Sequence, residues 1–358
     1  MLMRRFRHSA LLFLSSASVA CTSSDDAAES LSLSLRELEV IALEDSGRTA
    51  LGLVGGFGVT RDGEFLVSDR QRGTLVHFAR SGARLREIGR RGEGPGEWGW
   101  GPFGILRYDD STTLVSDGEQ LRALRLPNAE PLWSRQQSAM SPAFAAHEGT
   151  VLAKAVNRDR RSTIARWRSA ADSLEFGGPF PAPLGRSQMV DFMLVWVGAA
   201  QLPGDSLAVL AQGNDHLFVG PFAGPYDSIP LPVVARRGAM REVLDAVRDD
   251  DPESGMRAAY KASWPYLVQP LLDPARLAIV TIDQDFLGDR MAGDLNVAVL
   301  NRVRRRFCGE LRIPVTRDPQ PWATLVGDTL FVFAHEVDSL ANDAQPMVRR
   351  FVLEARRC

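Results

Sequence analysis

Six times along the chain, a short polar turn runs into a compact apolar strand. The copies read DGEFLVSD (62–69), DSTTLVSD (110–117), HEGTVLAK (147–154), PGDSLAVL (203–210), DPARLAIV (273–280) and VGDTLFVF (326–333). Their shared leucines, Leu66, Leu114, Leu152, Leu207, Leu277 and Leu330, stand 48, 38, 55, 70 and 53 residues apart. A repeat of roughly fifty residues with several short strands per unit predicts a β-propeller, and six copies predict six blades. Apolar runs such as FLV, LAIV and LFVF suit strands covered on both faces, as blades packed face to face require.

A second hairpin follows most copies. TLVHFARSGARLREIG (74–89) turns at Ser81-Gly82, and QLRALRLPNAEPLWS (120–134) turns at Pro127-Asn128. STIARWRSAADSLEF (162–176) and HLFVGPFAGPYDSIPL (216–231) repeat the arrangement. The apolar positions alternate with period two, the mark of half-buried strands. The last copy lacks a strand, because MVRRFVLEARRC (347–358) supplies one more and the chain stops. The alternating segment LSLSLRELEVIAL (31–43) supplies the missing partner, so strands from both termini should close the ring and hide its edges. Leu35, Leu38 and Val40 are expected to be buried against the sixth blade. One stretch departs from the β pattern. In residues 236–262, Met240, Val243, Leu244 and Val247 recur at helical spacing, which predicts a helical insertion between blades four and five. It lies either across one mouth of the propeller or against its rim.

The first thirty residues belong to a different class. Arg4, Arg5 and Arg7 precede a short apolar run, and Ser18-Val19-Ala20 precede Cys21, the layout of an export signal. Small residues immediately before a cysteine resemble the lipobox of bacterial lipoproteins. That resemblance implies cleavage after residue 20 and a lipid on Cys21. The apolar run is too short for a spanning helix, which needs about 20 residues. Residues 21–30 are polar and read as a flexible tether, leaving 31–358 as the propeller. Thr22, standing where inner-membrane lipoproteins tend to have aspartate, implies the outer membrane, facing the periplasm. The bilayer is then one partner.

Loss of residues 1–20 removes three arginines and no acids, leaving 39 basic against 44 acidic residues and a net charge of −5. No basic surface is offered to nucleic acid. With Cys21 committed to lipid, Cys308 and Cys358 remain as an even pair in an oxidising compartment, a candidate disulfide beside the alternative of two free thiols.

The run GRRGEGPGEWGWGP (89–102) lacks the Gly-Lys-Ser/Thr ending of a phosphate loop. With the strand that follows it, GRRGEGPGEWGWGPFGI resembles the linker between blades in NHL-type propellers, and the chain resembles the six-bladed propeller lipoproteins of bacteria. The resemblance implies that the glycines carry the chain between blades while the rings of Trp98 and Trp100 wedge between sheets.

The remaining histidines are far apart in sequence, with no zinc-site spacing, and no nucleophile motif occurs. No cofactor is expected. Asp69 and Asp117 end equivalent strands; they either accept backbone N–H bonds in tight turns or join a ring of acids that would hold Ca²⁺. Asn157, His216 and His335 follow strands in other blades and complete the candidates for the channel. No catalytic residue is assigned. The leading reading is a membrane-tethered binding or scaffold module whose ligand is a peptide, a glycan or an envelope protein. The alternative is a metal-dependent hydrolase or lyase with its site in the central channel.

Overall fold

A computed structural model describes residues 32–45, 50–94, 96–118, 120–136, 143–147, 149–156, 162–180, 197–212, 214–232, 245, 251, 253–254, 264–283, 294–315, 321–337 and 344–356. The first strand, β1 (Ser32–Ala42), stands apart from the blade that follows it. Blade one is β2 (Val54–Val59), β3 (Phe65–Asp69), β4 (Thr74–Phe78) and β5 (Arg84–Ile88). Blade two is β6 (Gly104–Arg107), β7 (Thr112–Ser116), β8 (Gln120–Arg125) and β9 (Glu130–Gln136). Blade three is β10 (Ala143–His147), β11 (Thr150–Val156), β12 (Ser162–Trp167) and β13 (Glu175–Pro179). Blade four is β14 (Val197–Leu202), β15 (Ser206–Ala211), β16 (His216–Pro221) and β17 (Asp227–Pro230). Blade five is β18 (Trp264–Pro270), β19 (Arg276–Asp283), β20 (Asp294–Asn301) and β21 (Arg306–Pro314). Blade six is β22 (Trp322–Val326), β23 (Thr329–Val337), β24 (Ala344–Arg356) and, at its outer edge, β1.

Each repeated motif is the second strand of its blade together with the turn that leads into it. The innermost strands β2, β6, β10, β14, β18 and β22 contact one another in that order, and β22 meets β2. The chain is a six-bladed β-propeller. Small residues make this inner ring possible. A Cβ on Gly58 would sit 2.5 Å from Cγ2 of Ile105 on the next inner strand, so only glycine permits that approach.

The register defines two faces. Val54 pairs with Asp69 and Gly104 with Ser116, so the second strands end where the inner strands begin. We name that the leading face and the opposite one the trailing face. Turns on the trailing face are short, such as 148–149, 203–205 and 327–328. Long connections, 180–196, 231–263 and 284–293, all leave from strand ends on the leading face.

Closure of the ring rests on β1. It pairs antiparallel with β24 from Ser32↔Arg356 to Ala42↔Met347. The pairing slips between Glu37 and Glu39, leaving Leu38 as an extra residue, and a bulge of one residue reverses which face the side chains take. Before it, Leu33 is buried with Cys308, Ile313 and Leu353, on the blade-five side. After it, Ile41 and Leu43 are buried with Phe57, Val59 and Phe333, on the blade-one side. The expected burial is therefore corrected in detail: Leu35 is half-buried, whereas Leu38 and Val40 are 40% and 46% exposed. The bulge sets Leu38 outside the ladder and sends Val40 to the solvent side.

Three other expectations meet the structure. Trp98 wedges between blades one and two against Leu66, Leu75, Val115 and Leu124, its Nε1–H donating to the Ile88 carbonyl at 3.4 Å and the Arg122 guanidinium 4.8 Å from its ring. Gly89, at φ +72°, makes room for that ring, since a Cβ there would lie 2.2 Å from the indole nitrogen. Trp100 does not wedge; it is 63% exposed, on the stretch that carries the chain inward from β5, the outer strand of blade one, to β6, the inner strand of blade two. The helical insertion at 236–262 falls almost wholly outside the described residues; within it Asp245, Glu253 and Ser254 have helical backbone and Asp251 does not. Cys308, at a bulge in β21, is buried and disulfide-bonded; Cys358 lies outside the described residues.

Deleting Leu38 removes the bulge and would turn Ile41 and Leu43 toward solvent. Each buried side chain of that size contributes about 1.5–3 kcal/mol, so the deletion should lower the melting temperature sharply. Leu38→Ser should leave it nearly unchanged. Equal melting temperatures for the deletion and the substitution would show that the bulge does not set the register.

Candidate functional site

The inner strands do not fill the axis. A cavity of about 630 Å³ is lined by strands β6, β10, β14, β18 and β22 of blades two to six. That volume lies within the ~300–1,000 Å³ range of small-molecule sites. Its wall is polar where side chains reach inward: Tyr108, His147, Gln201, Tyr266, Gln269 and Thr324. All of these but Tyr266 and Thr324 stand at or just past the trailing ends of inner strands, so the polar rim belongs to the trailing face.

Gln269, Gln201, Tyr108 and Tyr266 are each held by local structure. Gln269 Nε2 donates to the Leu325 carbonyl on the neighbouring inner strand at 3.1 Å. Gln201 Nε2 donates to the Ser206 carbonyl across its own turn at 3.3 Å, while its Oε1 is buried without a partner. The Tyr108 hydroxyl donates to the Arg168 carbonyl, tying blade two to blade three, and its ring meets Trp133 edge-on at 6.0 Å. Burial pushes the Tyr108 phenol above its ordinary value, and the charges of Asp109 and Asp172 add to that. Tyr266 packs edge-on to Trp322 at 5.9 Å, and burial pushes its phenol up strongly. Both phenols are therefore neutral hydrogen-bonding groups at neutral pH, not bases.

The acids of the rim already have work. Asp109 Oδ1 accepts from the N–H groups of Ser111 and Thr112 at 2.8 and 2.7 Å and from the Ser111 hydroxyl at 3.2 Å; these bonds hold its carboxyl below the ordinary range despite the opposing effect of burial. Asp110 pairs with Arg61 at 2.7 Å. Among the described residues, no three His, Cys, Asp or Glu side chains converge as metal ligands would.

The residues singled out in the sequence stand elsewhere. Asp69 is fully buried and accepts from the N–H groups of Gly52 at 2.8 Å and Arg72 at 3.0 Å. Asp117 accepts from the Gln120 N–H at 2.9 Å and pairs with Arg122 at 3.1 Å. Both carboxylates tie down turns on the leading face. His216 begins β16, a third strand, with Nδ1 2.6 Å from Asp215 Oδ1. His335 is on β23, its ring edge-on to Phe333 at 5.3 Å. Asn157 lies outside the described residues. None of the described four lines the channel cavity. The residues that do line it come from the inner strands, which carry no motif. Their one signal is small-residue content, as in VGGFGV and VGAAQL.

No family model matches the chain, and no curated sequence does. Solved structures do resemble it. A member of the DUF4221 family from Bacteroides vulgatus superposes with a TM-score of 0.57 at 11% identity, covering 91% of this chain and 100% of that one. A protein from Bacteroides fragilis, whose name describes it as exported, gives 0.54 at 11% identity over 92% of this chain and 97% of that one. A protein of unknown function from Bacteroides thetaiotaomicron gives 0.51 at 10% identity over 90% and 77%. At such identities the likeness shows the fold alone.

Two outcomes test the roles of buried polar groups. Replacing Asp69 with alanine strands two backbone N–H groups, each costing about 1–3 kcal/mol. The variant should therefore melt at a lower temperature by the same margin with Ca²⁺ or with a chelator. A margin that appears only when Ca²⁺ is present would instead make Asp69 a cation ligand.

His77, buried in β4 with Nε2 2.7 Å from Glu64 Oε2, has its pKa lowered by burial, which outweighs the opposing effect of Glu64. The folded state thus takes up its proton less readily than the unfolded chain. The corresponding stability is present above about pH 6.5 and is lost as pH falls from there toward the folded value. Denaturant titrations across pH 5–8 should show the loss, and His77→Gln should flatten it. An unchanged pH profile in the variant would assign the loss to other groups.

Proposed function

We propose that this chain is an exported, lipid-anchored propeller that binds a small polar ligand, or a polar segment of a larger one, in its central channel. The observation that carries this reading is the unfilled axis. A propeller that served only as a spacer could close its channel with larger side chains. Here Gly198, Ala199 and Ala200 on β14 keep the wall thin, and two carboxamides and two phenols line the space. Carboxamides donate and accept without carrying charge, which suits a neutral peptide or glycan better than an ion. The two phenols are held in the neutral state and Asp109 is engaged in a turn, which favours binding over catalysis.

The N-terminal signal supports the address, and the similarity to a Bacteroides protein described as exported agrees with it. In this reading Cys21 carries the lipid, the outer membrane is its anchor and the propeller faces the periplasm. Cys358, two residues beyond β24, is the partner we assign to Cys308.

Fractionation and equilibrium binding test the proposal together. Wild type should sediment with membranes and Cys21→Ser should appear in the soluble periplasmic fraction. Purified full-length protein should bind members of a peptide or oligosaccharide library saturably. Thr324→Phe, which narrows the channel, should abolish that binding while the melting transition persists. Equal binding by wild type and Thr324→Phe would remove the channel as the site.

A further inference from the structure

Beside the channel, a second cavity of about 580 Å³ opens between blades three and four on the trailing face. It is bounded by Thr150, Arg166, Arg168, Ser173, Glu175 and Asp205, and it meets the channel at His147 and Gln201, which line both. We propose that this cavity is a saccharide subsite, holding one hydroxyl-rich unit of a glycan whose remainder occupies the channel. The inference rests on the reading of the channel as the binding site and names the ligand class.

The junction offers an acceptor with nothing to accept. Gln201 is oriented by its bond to the Ser206 carbonyl, which leaves Oε1 buried and unpartnered. A buried orphan of this kind destabilises the empty fold, and a ligand hydroxyl placed between the two cavities would satisfy it.

The wall of the second cavity is a fixed array of donors and acceptors. Arg166 Nε donates to Glu175 at 2.7 Å and its Nη1 to Asp205, while its guanidinium lies 3.9 Å from the centre of the Phe222 ring. Blade three's cation is thereby locked to the β14–β15 turn of blade four. The two carboxylates remain 61% and 64% exposed, so they keep lone pairs free for a ligand.

Charge and polarity then sort the candidates. An anion would face Asp172, Glu175 and Asp205, and a cation would face Arg166 and Arg168. An apolar ligand would leave Gln201 Oε1 orphaned. A neutral group that donates and accepts through the same atom meets all of these demands, and the hydroxyl is that group. Adjacent guanidinium donors and carboxylate acceptors on one wall match the alternating needs of neighbouring sugar hydroxyls.

The test uses full-length protein and a panel of free sugars and short oligosaccharides, read by saturation-transfer NMR and calorimetry, beside a set of uncharged dipeptides. At least one saccharide should bind saturably. Gln201→Leu should weaken it about tenfold, the change expected from one lost hydrogen bond, with a melting temperature little changed, because the bond to the Ser206 carbonyl is lost together with the orphaned acceptor. Arg166→Ala should weaken it at least as much; because that variant also loses an inter-blade bridge, Ser173→Ala serves as a second probe of the same wall. Saccharide affinity that stays constant in both Gln201→Leu and Ser173→Ala would overturn the subsite. Dipeptides that bind where every sugar fails would overturn the ligand class and leave the channel reading standing. Failure of the whole panel to bind would count against both.

Discussion

Everything in this molecule depends on one antiparallel pairing between residues more than three hundred positions apart. Without β1, strand β24 would present an open edge, and the blade-five and blade-one cores would each lose the side chains that β1 inserts. The bulge at Leu38 lets a single strand serve both neighbours: Leu33 turns toward blade five, and Ile41 and Leu43 turn toward blade one. Blade packing is non-directional burial, but closure requires a register, and the ladder from Ser32 to Ala42 sets it. Ion pairs from Glu37 to Arg349 at 2.9 Å and from Arg36 to Glu354 at 3.0 Å border the seam; at the surface such pairs add little to stability.

The sequence made the frame legible and left the site obscure, for one physical reason. Second strands are sandwiched between blades, so they read as unbroken apolar runs behind a turn, and that signal repeats six times. The N-terminal strand was legible for a similar reason, since its alternation had no partner other than the incomplete last blade. Inner strands must approach the axis closely, and β2, β10 and β14 do so with glycine and alanine, which carry no periodic signal. Tyr266, Gln269 and Gln201 sit on inner strands, so nothing in the linear pattern marked them. The acids that did stand out, Asp69 and Asp117, are conspicuous because turn capping repeats with the blades. The same is true of the Trp98 and Trp100 pair: one ring wedges between sheets and its neighbour faces water, a distinction that depends on where the chain turns.

The two faces of the disc are built to different rules. The trailing face has short turns, and its cavities are bounded by residues fixed through backbone and side-chain bonds. The leading face carries the long connections, while its short turns in blades one and two are tied down by the buried carboxylates of Asp69 and Asp117. Rigid turns suit a preorganised small-molecule site, because little ordering remains to be done on binding. Long connections suit variation, since insertions at strand ends leave the packed blades undisturbed.

The seam between β1 and β24 also has a consequence in time. Strand β1 cannot pair until β24 has been made, because β24 is its ladder partner among the described strands. Local hairpins within blades one to five can form early, whereas the ring must wait for loop closure over nearly the whole chain, which makes the final step slow. Until then, the alternating leucines of β1 have no blade to cover them. The ring is therefore complete only once β24 has reached β1, and its closure comes after every other pairing in the fold.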